Sequence, residues 1–114
     1  FVSASLQDIL RRHLTQFSSV KNLADAAAIQ LNDTHPAIAI AELIRLLVDE
    51  HSLSFDEAFT ITQNTCSYTN HTLLPEALET WPVGLLDYLL PRHMQIVYLV
   101  NAKVIADAHA KKKQ

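Results

Sequence analysis

Asp33, His35 and His71 are the residues whose types and placement best suit chemistry. Asp33 and His35 belong to Asn32-Asp33-Thr34-His35, between the short apolar run ending at Leu31 and Pro36, which opens a long apolar segment. His71 belongs to Asn70-His71-Thr72, directly after Ser67-Tyr68-Thr69. Each stretch reads as a polar loop at the carboxyl end of a strand, the usual ligand position in open α/β sheets. If the strands are parallel neighbours, both loops reach one crevice, with Glu76 and Glu79 on the turn just beyond. A carboxylate beside an imidazole can fix its tautomer and orientation. Together they offer donors and acceptors to a polyol. In the plainer reading, Asn32 and Asp33 cap the following helix and the histidines are satisfied surface or core groups.

Other chemistries find less support. Asp-x-His after a strand also begins the binuclear metal site of some phosphoesterases, with Asn70-His71 as a second ligand pair. Such a site needs more ligands, and His13, His51, His93 and His109 fall within or at the ends of expected helices. Cys66 stands near a helix end among apolar groups, the setting of an inert thiol. As the one cysteine, it excludes an internal disulfide and a multi-cysteine zinc site. Tyr68, Trp81 and Tyr88 read as core, with stacking on sugar faces as the alternative. Glu76 and Glu79 share a helical face and cannot flank a bond as a glycosidase pair must. Gly84 is the one glycine, so no glycine loop can cradle a phosphate.

The elements that must position these loops are mostly helical. Leu6, Ile9, Leu10, Leu14 and Phe17 predict a helix from Ser3 to about Phe17, with Ser3 or Ser5 as cap and Asp8 in its first turn. Residues 18–25 read as a polar connector and Ala26–Leu31 as a short strand. Pro36 suits the first turn of a very apolar helix to Glu50. That helix expects neighbours on more than one side. Ser54 and Glu57 form a capping box, with Leu53 and Ala58 as its hydrophobic staple, for a helix to about Cys66. Ser67–Thr69 is a second strand candidate. Pro75 opens a turn through Thr80, which ends before Trp81-Pro82. One or two turns follow from Leu85 to Leu90, then a long helix from Pro91 to about Ala110. The closing lysines read as a helix end or a solvated tail.

Length and composition bound the rest. The 114 residues allow one domain, 1–114, without an internal boundary. With 49% apolar and 18% charged residues, a core is possible and disorder is not expected. A net charge of −3 provides no basic face for nucleic acid. The longest apolar run falls short of the roughly 18–20 residues a membrane span needs. The amino terminus lacks the pattern of a signal peptide. The lone thiol fits a reducing compartment, and a cytoplasmic location is expected, or a plastid in a plant. A start at Phe1 rather than Met fits a piece of something longer.

Four blocks, in order, carry a resemblance: Phe1–Arg12, Ile29–Pro36, Tyr68–Glu79 and Leu89–His93. Together they closely resemble the α-glucan (glycogen, starch, maltodextrin) phosphorylases, over nearly the whole chain. The resemblance implies an internal segment of that family's amino-terminal lobe. The expected fold class is α/β: a predominantly helical slice of a Rossmann-like lobe with one or two short parallel strands. The implied activity is phosphorolysis of α-1,4-glucan ends to α-glucose 1-phosphate, with pyridoxal phosphate as cofactor. It implies that His71 meets the 6-hydroxyl of the transferred glucosyl unit, its carbonyl facing the developing anomeric charge, and that Asp33 holds His71. His35, Asn70, Thr72 and Glu79 are the implied sugar-binding residues. The cofactor lysine, its glycine-rich loop and the phosphate-binding cations would belong to the other lobe. No cofactor-binding or metal-binding residue is therefore expected in this chain. The implied partners are glucan, phosphate and the remainder of the phosphorylase, a homodimer when complete. Ala41 stands where proline is usual, Thr80 where a basic residue is usual, and Ser19 and Ser52 where glycine is expected in related bacterial sequences. The isolated chain is expected to be inactive. The alternatives are a non-catalytic helical binding module and, further off, a metal-dependent hydrolase.

Overall fold

The computed structural model describes residues 1–71 and 83–112. The expected turn from Pro75 to Thr80 lies outside them, as do Thr72, Glu76, Glu79 and Trp81. The described residues are mostly helical and include two short parallel strands, as the α/β reading requires. The chain divides into two compact units, residues 1–80 and 81–114.

In the first unit, α1 spans Val2–Gln16 and buries Leu6, Leu10 and His13. Full burial of each leucine contributes about 1.5–3 kcal/mol. Neither Ser3 nor Ser5 caps this helix: Phe1 holds the N-cap position, and no side chain bonds to the free amides. Asp8 stands beyond the first turn and pairs with Arg11 at 2.6 Å and Arg12 at 2.9 Å. The Arg11 hydrogen bond, helped by both charges, holds the Asp8 carboxyl below its ordinary range. The expected apolar stripe is only partly covered, because the helix turns His13 inward and leaves Leu14 and Phe17 exposed. His13 stacks on Phe17 with centroids 4.7 Å apart. Its Nε2 meets the Ser19 carbonyl at 3.0 Å and Asn22 Oδ1 at 2.7 Å.

The expected connector after α1 is folded. Val20–Asn22 forms a 3₁₀ turn and Leu23–Ala26 a single α-helical turn, α2. Leu23 is fully buried, which fixes the turn. Ser19 is extended at φ −147° and its hydroxyl accepts the Lys21 N–H, so glycine is not required there. The first strand, β1, covers Ile29–Asn32 and so starts later than expected. Alanines favour helix, and pairing begins at the first β-branched residue.

Pro36 lies in turns that precede the next helix, with Ala37 N–H bonding Thr34 O and Ala39 N–H bonding Pro36 O. α3 proper is Ala39–Arg45, and Leu46–Glu50 continues it as a π-helical turn. The widened turn is closed by His51 N–H to Leu46 O at 3.1 Å, while Leu46 and Leu47 stay fully buried. Ser52 then adopts φ 61°, the left-handed region, at a position where the resemblance leads one to expect glycine. Ser54 caps α4, Phe55–Thr65, by accepting Glu57 N–H at 3.1 Å, as the capping box predicts. Leu53 and Ala58 are both buried, in keeping with the staple. The second strand, β2, is Cys66–Thr69 and pairs with β1 in parallel, from Ile29 opposite Cys66 to Asn32 opposite Thr69.

In the second unit, α5 spans Val83–Leu89 and packs on α6, Pro91–Lys112. No helix among the described residues is long and apolar enough to cross a membrane.

Candidate functional site

The parallel register sets Asn32 beside Thr69, so the two strands end together and both polar loops leave the sheet at one edge. The ladder continues past β1, with Asp33 N–H donating to the Thr69 carbonyl at 2.8 Å. Asp33 itself turns into the left-handed region, φ 63°, which aspartate tolerates better than most residues. From there its Oδ1 accepts the backbone N–H of His71 at 2.6 Å, a bond spanning 38 residues of chain. One residue thus uses its own amide to hold the end of β2 and its carboxylate to hold the loop that follows.

The expectation that Asp33 would steady the imidazole needs correcting in one respect. The carboxylate bonds the His71 main chain, and the ring instead meets Asn32, whose Oδ1 lies 3.4 Å from Nε2. Nor do Asn32 and Asp33 cap the next helix, since α3 begins after Ile38 with no side-chain cap. His35 is exposed in the turn leading to α3, and Asn70 is exposed between β2 and His71. Thr72 and Glu79, the remaining candidates, fall outside the described residues.

Gln30 and Thr69 were not among the sequence candidates, yet both belong to the arrangement. Gln30 Nε2 lies 2.9 Å from Thr69 Oγ1, 3.4 Å from the Leu31 carbonyl and 3.5 Å from Asn32 Oδ1. The available signal was the two-residue period of a strand, which puts Gln30 and Asn32 on one face while Leu31 buries the other. The site is thus a polar, solvent-facing patch of amides, one carboxylate and one imidazole, fit to bind hydroxyl groups.

Other candidates are placed elsewhere or otherwise. Tyr68 is 48% exposed and Tyr88 82% exposed, so neither is a core residue. Cys66 opens β2 half-buried, and burial pushes its thiol up, in keeping with an inert sulfur. Two grooves in the first unit, of about 530 and 200 Å³, are lined by α1 with Glu50 and His51, and by α1 with Leu23 and Ala27. Among the described residues, no group of three or more histidine, cysteine or acidic side chains is placed to hold a metal ion.

Comparison with known proteins agrees with the resemblance. The family model for carbohydrate phosphorylases matches residues 1–114. The chain is 57% identical over 100 residues to the glycogen phosphorylase of Haemophilus influenzae, covering 88% of this chain and 12% of that protein. It is 50% identical over 111 residues to that of Synechocystis, covering 97% and 13%. The brain-form glycogen phosphorylase of Bos taurus is 51% identical over 110 residues, covering 90% and 13%. The chain therefore spans 12% to 13% of the length of these relatives. Over every residue of its length, this chain belongs to the carbohydrate phosphorylase family.

Proposed function

We propose that the paired loops form part of the glucosyl-binding site of an α-1,4-glucan phosphorylase, which releases glucan ends as α-glucose 1-phosphate. The observation that carries this reading is the 2.6 Å bond from His71 N–H to the Asp33 carboxylate across the ends of two parallel strands. That bond fixes one flank of the His71 backbone. In this reading the His71 carbonyl, in the peptide that follows, faces the positive charge that develops at an anomeric carbon. The imidazole takes the 6-hydroxyl of the transferred sugar, and His35, Asn70, Thr72 and Glu79 complete the pocket. Such fixed dipoles favour the transition state over the ground state, because they need no rearrangement as charge appears.

Pyridoxal phosphate would supply proton transfer to and from phosphate in the complete enzyme. Neither Lys21 nor Lys103 fits it. Lys21 is exposed and lies 3.4 Å from Glu57, and Lys103, partly exposed, lies 4.0 Å from Asp107. A Schiff base needs an amine sheltered enough to lose its charge. In this reading the cofactor and the phosphate are held by chain beyond these residues, and the 114-residue piece is inactive by itself. Glucan, phosphate and the remainder of the enzyme, a homodimer, are its partners.

The test uses a complete phosphorylase carrying this segment. His71→Ala and Asp33→Ala should each lower glucose 1-phosphate formation by about a hundredfold while binding of the cofactor is retained. Unchanged turnover in both would remove the reading.

A further inference from the structure

We infer that Asn32 and Gln30 are positioning residues that set the tautomer of His71, a conclusion that rests on the glucosyl-site reading above. The assignment follows from which atoms can only accept. The Leu31 carbonyl has no hydrogen to give, so the Gln30 atom 3.4 Å from it is the amide nitrogen. That same nitrogen lies 3.5 Å from the Asn32 side chain and 2.9 Å from the Thr69 hydroxyl. Facing a donor, the Asn32 atom is its carbonyl oxygen. This oxygen stands 3.4 Å from His71 Nε2, so Nε2 carries the ring hydrogen and points it at Asn32.

A neutral imidazole with its hydrogen on Nε2 has a bare lone pair on Nδ1. His71 then meets a sugar hydroxyl as an acceptor, and the hydroxyl donates. The opposite tautomer would carry its N–H on Nδ1 and demand a lone pair from the sugar instead. Asp33 does not settle this choice, because its carboxylate is engaged by the His71 main chain. The division of labour is between neighbours: Asp33 fixes the backbone, and Asn32, steadied by Gln30 from two residues earlier on the same strand face, fixes the ring.

The experiment measures glucan elongation by the complete enzyme, with glucose 1-phosphate and 6-deoxyglucose 1-phosphate as alternative donors. Asn32→Leu keeps the shape and removes the acceptor oxygen; Asn32→Asp restores an oxygen at the same place. The Leu variant is expected to lose about ten- to thirtyfold in kcat/KM with glucose 1-phosphate, mostly in kcat, and less than about threefold with the 6-deoxy donor. Asn32→Asp should recover most of the loss, and Gln30→Met should show a smaller loss with the same donor dependence. A merely structural role would lower both donors equally, and that result would overturn the inference, as would full activity of Asn32→Leu. Equal use of both donors by the unaltered enzyme would overturn the glucosyl-site reading itself. Discrimination by the unaltered enzyme that survives in Asn32→Leu would overturn only the inference.

Discussion

Asp33 occupies a backbone region that most residues avoid, and its side chain is aimed by that backbone. With φ at 63°, the carboxylate folds back over the end of β2 and accepts the His71 amide. A hydrogen bond to a charged group of this kind is worth about 1.5–3 kcal/mol. Asp33→Ala is therefore expected to speed hydrogen exchange at the His71 amide about tenfold or more, and Asp33→Asn by less, since asparagine tolerates the same backbone and keeps an oxygen. Equal rates in all three proteins would count against the bond. The meeting of Asp33 and His71 was legible in the sequence, because both follow strand-like runs at the same edge. The atom that Asp33 grips was not, because it depends on one dihedral angle that no side-chain pattern reports. Asn32 was legible only as a possible cap, since hydrogen bonds across a strand face require a known register.

At the scale of elements, the strongest local signal gave the most faithful structure. Ser54 and Glu57 form their box as expected, and the Lys21 charge and hydrogen bond, with the Ser54 hydroxyl, hold the Glu57 carboxyl below its ordinary range. A carboxylate with a depressed folded value contributes its stability above the ordinary glutamate range and loses it as pH falls through the depressed value. Lys21→Met should therefore move the Glu57 titration, followed by carboxyl NMR, back up, and added salt should do part of the same. Ser52, left-handed at the exit of the π turn, is a place where glycine belongs. Ser52→Gly should raise stability by about 0.5–1 kcal/mol in urea unfolding, relief of strain exceeding the lost chain entropy. Ser3, expected as a cap, instead donates to the buried Glu42 carboxylate at 3.2 Å, while Arg45 grips the same group. The Glu42 hydrogen bond, with nearby acidic charge, raises the Arg45 guanidinium further above its usual range. Arg45→Met alone should cost about 3–5 kcal/mol by stranding a buried charge. Pairing it with Glu42→Leu should return most of that, and equal losses would argue that packing alone is at stake. None of this linkage was legible, since α1 and α3 lie 39 residues apart at that bond. The π turn was equally hidden, because it answers to the burial of Leu46 and Leu47 rather than to any residue preference.

At the scale of the whole chain, periodicity reported which faces are apolar but not what covers them. Tyr88 and Leu89 on α5, and Tyr98, Val104 and Ile105 on α6, are all exposed. Exposed apolar side chains favour association. The 114-residue chain by itself is expected to grow in apparent mass with concentration in light scattering, and Tyr98→Ser with Ile105→Ser to reduce that growth. A monomer at every concentration would refute the expectation. The division into residues 1–80 and 81–114 was not legible either, as no glycine-rich or polar linker marks it. The parallel pairing of β1 with β2 carries a last consequence, for the order of events during biosynthesis. A ribosome delivers β1 first, and its partner emerges only after the intervening helices have been made. Throughout that delay the edge of β1 that awaits β2 offers its amides and carbonyls to any passing strand, a hazard that hairpin-forming pairs escape within a few residues. The nascent polypeptide should therefore be most prone to capture by a chaperone in the interval that closes when His71 clears the exit tunnel.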